Sequence, residues 1–220
     1  MSARLGFQHE IENLNVELIK MGALVEEAIE NVITAFKKQD HSLAKEIIKK
    51  DREIDDMEKA IESHCLNLIL RQQPVAKDLR IVSTALKMVT DMERIGDHAS
   101  DIASIILKMD ADHVFEIVEH IPEMAMLAKK MVKGSIQAFV EGDTELTKQI
   151  IEIDDQLDSL FKKAKAEVIE MLKKSNDLSD MCVDFLMIAK YFERIGDHAE
   201  NICEWVEFNE TGEYKNRRIL

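Results

Sequence analysis

From Gln8 to about Lys38, the apolar residues Ile11, Leu14, Leu18, Met21, Val25, Ala28, Val32 and Phe36 recur in steps of three and four. Side chains spaced that way share one face of a helix, so the segment predicts one long amphipathic helix. Asp40, His41 and Ser42 supply a turn and an N-cap. A second helix is expected from about Ser42 to Arg71. Pro74 lacks a backbone donor and disfavours helix at the residue before it, so the second helix should stop there. A third helix is expected from about Val75 to Met109.

The pattern then recurs. A fourth helix fits from about Val114 to Val140, with Pro122 in its first turns as a kink or a late start. Gly142 and Asp143 break it. A fifth helix is expected from about Thr144 to Lys174, a turn at Ser175, Asn176 and Asp177, and a sixth helix from about Leu178 to Phe208. The last dozen residues read as frayed or extended. Ile33, Ala35, Phe36, Asp40, Leu43, Ile47, Ile48, Asp51 and Asp55 match Ile136, Ala138, Phe139, Asp143, Leu146, Ile150, Ile151, Asp154 and Asp158 at a constant shift of 103. Glu93 to Ala99 match Glu193 to Ala199 at all seven positions, at a shift of 100. The smaller shift places a deletion where the first half reads RQQPVAKD and the second KSNDLSD. The expected fold is all-α: two tandem homologous three-helix bundles, 1–110 and 111–220.

Composition supports helices: only 2 Pro and 7 Gly punctuate the chain, and aromatics are 5%. The formal net charge of −14 disfavours nucleic acid and an anionic membrane surface as direct partners. Three cysteines without a CxxC argue against a disulfide framework or zinc knuckle and for buried thiols in a reducing cytosol. No apolar run suits a signal peptide or a membrane span, so a cytoplasmic location is expected.

The informative residues are acids in the wrong place. Asp51 and Asp55 share a helical stripe with Ala44, Ile47, Ile48, Cys65 and Ile69. Asp154 and Asp158 do the same with Ile150, Ile151, Val168 and Leu172. On the third helix Glu93 projects with Val82, Leu86 and Val89, Asp97 lies beside it, and Asp101 sits at the edge. On the sixth, Glu193 aligns with Cys182, Leu186 and Ala189, with Asp197 beside it and Asn201 at the edge. Carboxylates on an apolar face are costly unless compensated, and pairs four apart repel. Arginine is one compensation, from Arg52, Arg94, Arg194 or Arg80. A cation is the other: carboxylates on facing helices form an all-oxygen cluster able to bridge more than one ion, with Mg²⁺, Mn²⁺, Ca²⁺ or iron all admissible.

His98 and His198 follow an acid by one residue and so point about 100° away; hydrogen bonding to a neighbouring helix suits them better than ligation. Gly96 and Gly196, in mid-helix, suggest close helix approach beside the acids. A di-iron bundle would need Glu-x-x-His, which is absent. A metal-dependent phosphatase has two-metal chemistry in its favour but no evident nucleophile or general acid beside the acids. A structural scaffold with arginines satisfying the acids is the third reading.

Met21-Gly22, Asp51-Arg-Glu-Ile-Asp55, Arg71-Gln-Gln-Pro-Val-Ala-Lys-Asp-Leu-Arg80 and the two Glu-Arg-Ile-Gly-Asp-His-Ala segments together resemble the PhoU family, from about Phe7 to Trp205. The resemblance implies a non-enzymatic negative regulator of phosphate uptake and the phosphate regulon. It implies an adaptor between the ATPase subunit of a phosphate ABC transporter and a sensor histidine kinase, reaching the membrane only through partners. It also implies multinuclear metal sites, with iron or zinc as the metal. Carried over, one site uses Asp51, Asp55, Glu93, Asp97 and Asp101; the other uses Asp154, Asp158, Glu193 and Asp197, with Asn201 in place of the fifth acid. We expect a homodimer.

Overall fold

A computed structural model describes residues 2–109, 119–174, 179–215 and 217–218. Among them are six long helices: α1 Ser2–Lys38, α2 His41–Gln72, α3 Lys77–Ile106, α4 Ile121–Glu141, α5 Thr144–Lys174 and α6 Ser179–Thr211. A short antiparallel pair follows, β1 Glu213–Tyr214 and β2 Arg217–Arg218. α1, α2 and α3 pack on one another, as do α4, α5 and α6, which makes the two tandem three-helix bundles. They join through α3 against α6 and α1 against α4. Each helix at the seam thus meets its own repeat counterpart, as a pseudo-twofold requires.

The helix breaks arise from matched local chemistry. Asp40 Oδ1 accepts hydrogen bonds from the backbone N–H of Ser42 and Leu43, both at 3.0 Å. Asp143 Oδ1 accepts from Glu145 N–H at 2.9 Å and Leu146 N–H at 3.0 Å. These caps satisfy donors that the first helical turn leaves orphaned. Immediately before each cap the chain turns left-handed: Gly142 has φ 64° and Gln39 has φ 52°. Glycine takes that conformation without a Cβ clash. Gln39 is held there by its own amide, whose Nε2 donates to Phe36 O at 2.7 Å.

The apolar stripe of α1 lies against the core as expected, except that Ile29 is fully buried while Ile11 and Ala28 are only partly so. Phe36 of α1 meets Phe185 of α6 edge-on, with centroids 6.2 Å apart, so the core runs through the seam. All three cysteines are buried and unpaired.

Several boundaries differ from expectation. α1 starts at Ser2, earlier than Gln8. α3 starts at Lys77, after Ala76 adopts φ 48°, and stops at Ile106. Pro122 sits at the very start of α4, where a missing N–H costs nothing, so it marks a late start and not a kink. The expected helical stretch from Val114 to Val118 and the turn from Ser175 to Asp177 lie outside the described residues. The tail is not simply frayed. Tyr214 stacks on Trp205 at 4.1 Å with planes 15° apart, and Lys215 Nζ lies 3.0 Å from Glu204, which folds the hairpin back on α6.

Candidate metal centre

In the first half, α2 and α3 bring Asp51, Asp55 and Asp97 together, with one carboxylate oxygen from each within 4.8 Å of the others. All three side chains are half-buried. The approach is close because residue 96 is glycine: a Cβ there would lie 2.9 Å from Ile54 Cδ1 and 3.5 Å from Asp51 Oδ1. In the second half, a Cβ on Gly196 would lie 2.4 Å from Leu157 Cδ2 and 3.0 Å from Asp154 Oδ1. The repeated glycines therefore do set the acids of one helix against the backbone of the next.

The electrostatics of the first cluster is that of acids short of counter-charge. Burial pushes Asp51 up to about 6, with Asp97 and Asp55 adding to the shift and a hydrogen bond from Ser100 opposing it. Burial and then Asp97 push Glu93 up to about 7. Asp97 is also raised by burial, against the pull of Arg94. Arg94 donates to Asp97 Oδ2 at 2.9 Å. Its Nε lies 3.4 Å from Glu93 Oε2, an ion-pair distance without hydrogen-bond geometry, and that buried oxygen has no hydrogen-bond partner. Glu58, one turn beyond Asp55, is half-buried and likewise raised, by burial and then Glu62.

These residues suit a hard cation. The donor set is all oxygen, three oxygens converge, and one buried carboxylate oxygen lacks a donor. Asp101 is exposed and lies at the margin. Its charge reaches Asp51 and Asp97, while its carboxylate hydrogen-bonds Tyr191 and sits 3.7 Å from His98 Nδ1.

The second cluster is arranged differently. Burial, then Glu200 and Asp197, push Asp154 up to about 7. Asp197 is raised by burial and then Glu193, against the pull of Lys190. Lys190 Nζ donates to Glu193, and Lys162 Nζ lies 3.8 Å from Asp158. Among the described residues, no three carboxylates of this half converge as those of the first half do. Asn201 is turned elsewhere: its amide donates to Asp91 Oδ1 on α3 at 3.3 Å.

Asp91 also accepts a hydrogen bond from His198 Nδ1 at 2.8 Å, so this motif histidine bonds a neighbouring helix as expected, whereas neither buried ring nitrogen of His98 has a hydrogen-bond partner. The His98 ring packs at a tilt against those of His198 and Tyr191, with centroids 5.5 and 5.3 Å away; burial and then His198 push it down to about 4, so it stays neutral. Of the candidate arginines, Arg94 serves the cluster. Arg80 does not: its Nε donates to Asn209 O of α6 at 3.2 Å, across the seam.

Glu58, Ser100, Glu200, Lys190 and Asp91 were not among the residues expected from sequence. Glu58 was findable at one turn past Asp55, but its repeat partner is Phe161, so a search for duplicated acids passes over it.

A six-helix duplicated bundle with acids at its inter-helix faces defines a class of helical module, and comparison with known proteins identifies the family. The PhoU domain model matches twice, over residues 18–106 and 121–206, and the chain belongs to the PhoU family. A phosphate-specific transport system accessory protein PhoU homolog of Clostridium acetobutylicum is 40% identical over 207 residues, spanning 94% of each chain. Homolog 1 of Thermotoga maritima is 33% identical, covering 94% of this chain and 89% of its own. The crystal structure of the phosphate transport system regulatory protein PhoU from Streptococcus pneumoniae superposes with a TM-score of 0.88 at 29% identity, covering 94% of this chain and 98% of that one. The family is one of regulatory, non-catalytic accessory proteins of phosphate transport.

Proposed function

We propose that this chain restrains phosphate uptake and phosphate-regulon signalling from the cytoplasm, as an adaptor between the ATPase subunit of a phosphate ABC transporter and a sensor histidine kinase. The double family match carries this reading, supported by the phosphate-transport role named for the relatives. No described helix is long and apolar enough to cross a membrane, which suits contact with membrane proteins through partners. Residues 1–110 and 111–220 act as the two repeats, and a homodimer is the assembly we expect.

Asp51, Asp55, Glu93 and Asp97 serve as metal ligands in this reading, with Glu58 and Asp101 at the rim. Iron or zinc fits the family resemblance, and the all-oxygen donor set equally admits Mg²⁺, Mn²⁺ or Ca²⁺. Bound there, a cation supplies the positive charge that the raised Asp51 and Glu93 lack. The chain's own part is to hold α2 and α3 in one register, through the Gly96 contact, and so present a fixed surface. Elemental analysis of full-length protein purified without chelator tests the site. Asp97→Asn is expected to lose most of the bound metal while keeping its helical circular dichroism; unchanged metal content would sink the assignment.

A further inference from the structure

Two differences between the repeats go together. Where the first half has Thr90 and Glu58, the second has Lys190 and Phe161. Lys190 precedes Glu193 by one turn, as Thr90 precedes Glu93; Phe161 follows Asp158 as Glu58 follows Asp55. In the folded chain the two replacements meet. Lys190 Nζ lies 5.2 Å from the centroid of the Phe161 ring and donates to Glu193 Oε2. An ammonium held between an aromatic face and a carboxylate is favourably placed on both sides. Glu193 is only 8% exposed, so its charge requires a partner. Its counterpart Glu93 has a buried oxygen with no hydrogen-bond donor, and the nearby Arg94 is 54% exposed.

We propose that Lys190, seated on Phe161, is the resident counter-cation of the second cluster and keeps metal out of it, so that this chain binds metal in its first half alone. The inference rests on the first-cluster reading above. A tethered ammonium pays no association entropy, whereas an incoming divalent ion would have to displace it and then tolerate a positive charge alongside. Glu200, standing where the first half has Ser100, increases the demand for that charge next to Asp154. The two identical Glu-Arg-Ile-Gly-Asp-His-Ala segments then do different work, because the residue one turn before each of them differs.

The test uses the full chain stripped with EDTA. Lys190→Thr gives the second half the first half's residue and is expected to lower the melting temperature by about 5 °C, whereas Lys190→Arg stays close to wild type. Adding Mn²⁺ or Zn²⁺ should restore Lys190→Thr and raise its bound metal above the wild-type count. Asp197→Asn should leave wild-type metal content intact. The proposal is overturned if Lys190→Thr melts like wild type in EDTA, or if Asp197→Asn removes as much metal as Asp97→Asn. A wild-type chain that takes up no metal overturns the first-cluster reading only; the EDTA melt still decides the role of Lys190.

Discussion

Replacing Glu93 by Gln is expected to stabilise the metal-free protein above neutral pH while removing a metal ligand. The Glu93 side chain is 16% exposed, so solvent screens it little. Burial, then Asp97, carries its pKa from 4.5 to about 7. Below pH 4.5 the folded and unfolded chains both hold the proton, and the shift costs nothing. Between 4.5 and 7 the folded chain holds a proton that the unfolded chain has released, so stability falls as pH rises. Above 7 the full cost is present. At about 1.4 kcal/mol per pH unit, that interval amounts to about 3 kcal/mol. Gln keeps the shape and removes the charge; losing the contact with half-exposed Arg94 takes back about 0.5 kcal/mol. Urea denaturation in EDTA should therefore show E93Q more stable than wild type by about 2–3 kcal/mol at pH 8 and by under about 1 kcal/mol at pH 5. With Mn²⁺ or Zn²⁺ added, the ranking should reverse or close, because only wild type gains from binding. If E93Q is less stable than wild type at pH 8 without metal, or differs equally at both pH values, the account of the buried acid is wrong.

Asp91→Ala should cost about 1–3 kcal/mol in thermal or urea unfolding, since it leaves His198 and Asn201 without their acceptor at the seam; a loss under about 0.5 kcal/mol would mean this contact does not hold the halves together. Asp143→Ala removes both N-cap bonds of α5 and should cost about 1 kcal/mol, with Asp40→Ala matching it at α2 if the caps are equivalent. Gly196→Ala should lower the melting temperature despite a helix-propensity gain of about 1 kcal/mol, because the added Cβ meets Leu157 Cδ2 at 2.4 Å; a rise would show that the α5–α6 contact has room to give.

The helix breaks were legible because their causes are local. Asp40, Asp143, Gly142 and Pro74 each act on a neighbour within a few residues. The acid stripe was legible for a related reason: helical periodicity alone puts Asp51 with Asp55, and Glu93 beside Asp97, on an apolar face. The angle of His198 relative to Asp197 likewise foretold a bond to another helix. What escaped depends on contacts distant in sequence. Asp91 meets His198 across 107 residues, and neither has a local signal for the other. Arg80 looked available to the acids but is drawn to the end of α6, because the seam brings Asn209 to it. Lys190 escaped because duplication directs attention to identical positions, and its importance lies in being unlike Thr90. The hairpin escaped because the contacts that set it against α6, Tyr214 on Trp205 and Lys215 beside Glu204, have no periodic signature in the sequence.

The adaptor reading is tested most directly by capture from native lysate of cells grown at high and at low phosphate, with wild-type protein and Asp55→Asn/Asp97→Asn as baits. The account predicts that wild type recovers the ATPase subunit of a phosphate transporter or a sensor histidine kinase, in amounts that depend on phosphate, and that the double variant recovers less. Recovery of neither under either condition, or equal recovery by both baits at both phosphate levels, would contradict it.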